Sequence, residues 1–335
     1  MLALFYIFIA VAIGVSVWQI TRILNLRSVI ANDNDNNTQG KLFLVFMAGL
    51  YAMMIYCLIF MNVIMLPESA SFEGEHDDNL FNITFILIGV VQFIMQFLIF
   101  YFPYKYRGKK ENKALFFADS HKLEAIWTIT PAVVLVVLIG YGLWQWNNIM
   151  DLSDAEDPIV IEVYAKQFQW EARYAGEDNT LGRGNVNFIK GINTMGVDMG
   201  DLNAHDDKKV TEIHLQKGRK VIFKFRSQDV LHSAYMPHFR AQMNCVPGMV
   251  TQFGFTPKFT TEEMRQQSEV VEKTLGINKI RQEKGEDLYE FDYILLCNKV
   301  CGASHYGMQM KIVVEEKEAY EKWISEQPTL AEVIK

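Results

Sequence analysis

The stretch Cys297-Asn298-Lys299-Val300-Cys301-Gly302-Ala303-Ser304-His305-Tyr306-Gly307-Met308 places two thiols, an imidazole and a thioether on one short segment. Thiolate, imidazole and a weak methionine form the donor set of copper electron-transfer sites. A second imidazole, His232, lies upstream in Asp229-Val230-Leu231-His232-Ser233, directly after an alternating strand pattern. Together these residues point to a chain that holds copper and moves electrons.

Two other readings compete. Structural zinc uses Cys-x2-4-Cys with a second pair at a distance, and His232 is available as a fourth ligand. A Cys297–Cys301 disulfide with a surface His305 suits an oxidising compartment. Met308 is a poor zinc ligand but a good axial copper ligand, and the disulfide leaves His232 and Met308 without a role. Copper therefore leads, with zinc second and the disulfide third. A mononuclear type-1 copper uses one cysteine. Here two thiolates on one loop can bridge two coppers, with His232 on one and His305 on the other. Met308 then supplies the weak axial bond to one copper and the backbone carbonyl of Lys299 a bond to the other. Sharing both sulfurs spreads one unpaired electron over two metals, which keeps bond lengths nearly constant between oxidation states.

These ligands need a scaffold and an anchor. The chain has 335 residues and a net charge of -7, which offers no nucleic-acid footprint. Four segments are apolar enough to cross a bilayer, which takes about 20 residues: approximately 2–20, 42–65, 83–103 and 124–146. The first lacks a basic leader region and a small-residue cleavage site, so it reads as a retained span. Between the third and fourth lie Lys105, Arg107, Lys109, Lys110, Lys113 and Lys122, a positive-inside signal. Arg22, Arg27 and Lys41 mark the loop between the first two spans as cytoplasmic too. The loop between the second and third is acidic (Glu68, Glu73, Glu75, Asp77, Asp78) and faces out. Both termini, and everything after about 147, are then outside. Trp144 and Trp146 stand where an interfacial aromatic belt falls, or where plain packing suffices.

The outer half alternates over 159–164, 167–174, 210–215, 220–225, 249–255, 291–296 and 310–314, with turn signals between. Short strands at this spacing predict a β-sandwich or barrel. Residues 260–287 are charge-rich at helical spacing and predict a helical insertion. Residues 179–207, rich in glycine and asparagine, predict a long surface excursion. Cys57, inside an apolar run, reads as a buried small hydrophobe, and Cys245, standing alone, as a structural thiol. Glu171, Glu177, Asp178 and Asp229 are candidates to attract a basic electron donor.

The sequence resembles subunit II of haem–copper cytochrome c oxidase, whose site is the binuclear CuA centre. The residues that carry the resemblance run from about 83 to 315. They are the last two spans, Glu124-Ala125-Ile126-Trp127-Thr128-Ile129-Thr130-Pro131, Asp229 to Ser233, Val246-Pro247-Gly248 and the Cys297–Met308 loop. The resemblance implies a cupredoxin-like barrel outside the membrane, and the family usually has two spans; the expected fold of this chain is therefore four transmembrane helices followed by an all-β, cupredoxin-like barrel with a helical insertion. Residues 1–66 are then two extra spans, 83–147 the family's helix pair, and 148–335 the extracytoplasmic copper domain. It implies an enzyme subunit that takes electrons from a cytochrome c and passes them to haem in subunit I, in the inner membrane of a bacterium with the copper domain on the periplasmic face. Subunit III is a further implied partner.

Residue by residue, the resemblance implies that Trp170 is the second tryptophan of the electron-entry segment, with Phe168 where the family has its first. Glu124 matches a carboxylate at the mouth of a proton pathway; a solvated charge at a helix start is the plain alternative. The family has Glu where Lys299 stands, and that carboxylate helps bind magnesium at the subunit interface. A protonated lysine cannot ligate magnesium. Asn244 replaces the family's Asp. The chain has no Cys-x2-Cys-His motif, so its donor is another protein or subunit. A membrane-anchored copper-delivery or copper-storage module is the rival reading from another class. It has no use for a shared-electron site.

Overall fold

The computed structural model describes residues 2–24, 33–60, 66–153 and 155–334. Four helices open the chain: α1 (Leu2–Leu24), α2 (Asp33–Phe60), α3 (Phe72–Lys105) and α4 (His121–Met150). The last three are long and apolar enough to cross a membrane. In α1 the apolar stretch described is Tyr6–Thr21, shorter than a full span. The expected second segment, 42–65, runs past α2 into 61–65, which lie outside the described residues, as does Arg27. Pro103 and Pro131 lie inside α3 and α4.

The chain forms two compact units. One comprises Met1–Ile59 with Ile88–Lys122, the other Phe60–Leu87 with Leu123–Lys335. In the first, polar side chains cross between apolar helices. Gln39 donates to Gln19 at 2.9 Å, and the Tyr51 hydroxyl donates to the carbonyl of Phe93 at 2.7 Å. Such bonds are favoured where lipid offers no partner.

The second unit carries ten strands: β1 (Ile159–Lys166), β2 (Gln169–Tyr174), β3 (Lys208–Val210), β4 (Ile213–Gln216), β5 (Val221–Ser227), β6 (His232–Met236), β7 (Ala241–Cys245), β8 (Thr251–Phe255), β9 (Tyr293–Cys297) and β10 (Gln309–Glu315). They form two mixed sheets of five, in the orders β3-β2-β1-β5-β8 and β4-β10-β9-β6-β7. β1 runs parallel to β5, and β10 parallel to β4; the other pairs are antiparallel. Period-two alternation decides the faces. Ile161, Val163, Phe223 and Phe225 of the first sheet share a buried core with Ile213, Leu215, Leu295 and Ile312 of the second. This two-sheet β-domain agrees with the all-β expectation.

The structure departs from the sequence reading at several elements. The single strand expected over 210–215 is two, β3 and β4, in different sheets, because the chain crosses over between Val210 and Ile213. The β6–β7 hairpin was not legible, since Pro237 and a 3-10 turn at Pro237–Phe239 interrupt its alternation. The helical insertion exists as α5 (Thr261–Arg265) and α6 (Ser268–Lys284). A Thr260–Glu263 capping box starts α5, and Gly285 ends α6 in the left-handed conformation. Two terminal helices, α7 (Lys317–Ser325) and α8 (Leu330–Val333), were not anticipated.

The excursion over 179–207 is not a plain surface loop. Its Met195, Val197 and Ala204 are buried with Tyr164 and Leu330 in a small second core. It covers the outer face of the first sheet, where Glu162, Arg173 and Arg226 meet. Arg173 donates to Glu162 at 2.6 Å and also pairs with Asp207; Arg226 donates to Glu162 at 2.5 Å. Burial alone would raise the Glu162 carboxyl, but the two guanidinium groups outweigh it and hold it below the usual range.

Candidate metal centre

The expected ligands converge at one end of the second sheet. Ala234 of β6 is in register with Cys297 of β9, and Leu296 with Gln309 of β10. The N–H of Cys297 donates to the Met308 carbonyl (3.1 Å) and that of Asn298 to the Ser233 carbonyl (2.9 Å). The loop 298–308 is thus closed between adjacent strands, with His232 at the start of the neighbouring one. A 3-10 turn over His305–Gly307 folds back toward the sulfurs. Gly302 takes φ +142, and a Cβ there would lie 2.8 Å from the Phe168 ring. Glycine is required both for this conformation and for the close approach.

Cys297 and Cys301 are free thiols with sulfurs 3.9 Å apart. His232 Nδ1 lies 3.8 Å from Cys297 Sγ, and His305 Nδ1 lies 3.7 Å from Cys301 Sγ. The Lys299 carbonyl is 3.3 Å from Cys297 Sγ, and Met308 Sδ is 4.0 Å from Cys301 Sγ. The donor atoms of His232, Cys297 and Cys301 all lie within 4.8 Å of one another. Metal bonds of about 2.3 Å to sulfur and 2.0 Å to nitrogen, meeting near 120°, separate their donors by about 3.7 Å. The spacing thus fits donors converging on metal, and each sulfur has its own imidazole. The disulfide alternative does not describe this arrangement.

Burial and the neighbouring sulfur favour the neutral thiol at Cys301. Cys301 is pushed up to about 11, first by burial and then by the neighbouring Cys297. Two adjacent thiolates are costly without compensating charge, and a bound metal deprotonates a coordinating thiol. Cys245, directly opposite His232 across the β6–β7 pair, is buried and pushed up to about 12, mainly by burial. It is the structural thiol expected. Cys57, expected to be buried, is exposed on α2, within an apolar segment long enough to cross a membrane.

A second ring of groups holds the ligands. Asp229 Oδ1 accepts from His232 Nε2 at 2.8 Å, which leaves Nδ1 with its lone pair toward Cys297. Asp229 also accepts the N–H groups of Gln167 and Val230, each at 2.7 Å. Partial burial works against its charge, but these bonds outweigh burial and keep the carboxyl below its ordinary range. The Gln167 side chain donates to the Cys301 carbonyl at 2.5 Å, and the Trp170 indole donates to the Met308 carbonyl at 3.3 Å. Trp170 is buried and meets the His232 ring edge-on at 6.2 Å. Phe168 packs over Gly302. Both aromatic residues therefore adjoin the centre.

Asp229 and Gln167 are the supporting residues that sequence reading missed. The only signal was Asp229 three places before His232, and it was assigned to donor attraction. Glu171 is likewise engaged. It accepts from Lys209 and Thr194, pairs with Lys166, and its side chain is 12% exposed. Glu177 and Asp178 remain on the surface. Glu124 stands elsewhere, in the first turn of α4, about 40 Å along that helix from Met150.

Residues 59–143 match the family described as cytochrome C oxidase subunit II, transmembrane domain. The alternative cytochrome c oxidase subunit 2 of Bradyrhizobium diazoefficiens is 31% identical over 260 residues, covering 77% of this chain and 82% of that protein. The chain belongs to the cytochrome c oxidase subunit II family. As a subunit II it is one component of an oxidoreductase complex, membrane-anchored with a C-terminal β-domain. Subunit 2 of Thermostichus vulcanus is 21% identical over 292 residues, covering 80% of each chain. A solved periplasmic domain of subunit II of cytochrome oxidase from Bradyrhizobium japonicum is 16% identical and covers 52% of this chain and 95% of that one, with a TM-score of 0.32.

Proposed function

We propose that this subunit II accepts electrons from a cytochrome c at a binuclear copper centre and passes them to haem in subunit I. The observation that carries the reading is the pair of free sulfurs 3.9 Å apart, each with an imidazole nitrogen within 3.8 Å. Copper bound there supplies reversible one-electron chemistry. Cys297 and Cys301 would hold the copper through their thiolates, His232 and His305 would supply the imidazoles, and Met308 and the Lys299 carbonyl would be the weak donors. Asp229 fixes the His232 tautomer, and Gln167 and Trp170 hold the loop backbone, so the ligands need not rearrange on electron transfer. Phe168 and Trp170 form the entry side.

In this reading α1 is a fourth span, and the β-domain lies on the periplasmic face of a bacterial inner membrane. Residues 1–66 are two additional helices, and 83–147 the family's pair. Glu124 serves at the cytoplasmic mouth of a proton pathway. Subunit III is a further neighbour. Magnesium is not expected beside Lys299, which points a cationic side chain at that interface.

The test is electron paramagnetic resonance of the copper-loaded protein. Wild type gives the hyperfine pattern of one electron shared by two copper nuclei, and His305→Ala abolishes that pattern. Retention of the shared pattern in His305→Ala would refute the assignment. Met308→Leu keeps the pattern and changes mainly the potential, because the axial thioether bond is weak.

A further inference from the structure

The hairpin that begins at His232 is fastened at its opposite end. β6 and β7 pair from His232↔Cys245 to Met236↔Ala241, so the turn lies about 13 Å from the metal ligand. At that turn Arg240 takes φ +56 and ψ 22, the left-handed conformation. Among the described residues the other non-glycines with positive φ are Asp157 and Asn179, types that tolerate it. An arginine there costs about 1 kcal/mol against glycine. Strain kept at such a position directs attention to its side chain.

That side chain is committed. Arg240 donates to both Asp78 oxygens, from Nε at 2.7 Å and from Nη2 at 2.9 Å. Nη2 also donates to the Pro67 carbonyl at 2.7 Å. Asp78 belongs to the second turn of α3, and Pro67 to the segment that leads into it. Gly74 makes room for the arginine stem: a Cβ there would lie 2.8 Å from Arg240 Cγ and 2.2 Å from Ser69 Oγ. Ser69, Ala70 and Ser71 are fully buried. The Ala70 N–H donates to the His238 carbonyl (2.8 Å) and the Ser71 hydroxyl to the Phe239 carbonyl (2.7 Å), so the same segment grips the same turn.

We propose that Arg240 is a positioning residue for electron transfer: by clasping Asp78 and Pro67 it fixes the β6–β7 hairpin, and with it His232, on the first turns of α3. Arg240 touches none of the copper ligands. Its contribution is the placement of the copper end relative to a membrane-anchored helix, and hence relative to an acceptor held in the membrane by another subunit. A bidentate guanidinium–carboxylate pair suits this task because it fixes orientation as well as distance. The proposal rests on the electron-transfer reading above.

The experiment uses the assembled oxidase. Arg240→Gly removes the side chain while keeping a residue that accepts the left-handed turn. A pulse of soluble photoreductant reduces the copper, and haem reduction is then followed. The expected result is an unchanged copper content and resonance spectrum, with a copper-to-haem step slowed on the order of tenfold, as small misplacements remote from the chemistry can do. Asp78→Ala slows the same step, the double variant is no slower than either single one, and Arg240→Lys recovers part of the rate. A wild-type transfer rate in Arg240→Gly overturns the proposal. So do loss of copper in that variant and independent, additive losses from the two substitutions. A wild-type oxidase that passes no electron from this copper overturns the electron-transfer reading instead.

Discussion

His232 and Asp229 show how a single carboxylate settles a ligand. Imidazole offers two nitrogens, and only the one left without a proton can bind metal. Asp229 accepts at Nε2 (2.8 Å), so Nδ1 is the nitrogen presented to Cys297. The same carboxylate holds Gln167, whose side chain reaches the Cys301 carbonyl, so one residue supports His232 directly and the Cys301 backbone through Gln167. Asp229→Ala should keep the fold and lower copper affinity by about 10- to 100-fold. A competition titration against a chelator of known affinity measures this, and equal affinity in wild type and variant contradicts the role.

At the scale of elements, β1, β2 and β5 are tied on their outer face by Glu162, which takes guanidinium donors from Arg173 and Arg226. The group's carboxyl is depressed, so its contribution to stability is present above the ordinary glutamate value of about 4.3 and fades as pH falls through the lower folded-state value. Glu162→Gln leaves two buried guanidinium groups short of charge and should destabilise by about 3 kcal/mol at pH 7. The gap between wild type and variant should close on acidification. Thermal unfolding at pH 7 and at successively lower pH checks the sign; a gap that widens in acid would refute it.

The whole molecule joins an N-terminal set of apolar helices to a β-domain that carries its donors at one end. Residues 66–71, which lead into α3, belong to the β-domain's own compact unit. Lys258 pairs with Glu68 and Glu75, and Lys220 with Glu73, around them. The acidic loop that marked an outward-facing side in the sequence is therefore also the domain's anchor. Lys299 bears on the assembly. Its side chain is exposed while its carbonyl adjoins Cys297. On the proposed placement of Lys299 at the interface with subunit I, Lys299→Glu in the assembled oxidase should create a manganese-detectable site, because a carboxylate can ligate the cation and an ammonium group cannot. A variant that binds manganese no better than wild type would count against that placement.

Much of the site was legible in the sequence because its donors are chemically unusual and mostly close together. Cys297, Cys301, His305 and Met308 share one loop, so local spacing alone put them within reach of a common metal. The apolar helices were legible too, since length and composition decide whether a segment can span a bilayer. The helical insertion at 260–287 announced itself by charge at helical spacing. Tertiary structure decided what depends on pairing between distant segments. The β6–β9 pairing places His232 beside Cys297, 65 positions away, and no local pattern revealed that pairing. Asp229 looked like a surface charge until β6 and the Gln167 turn met on it. Glu171 looked equally free until Lys209 of β3 and Thr194 of the excursion over 179–207 met on it. Arg240 carried no signal at all, because its meaning lies in Asp78 and Pro67, more than 160 residues away, brought to it only by the folded chain.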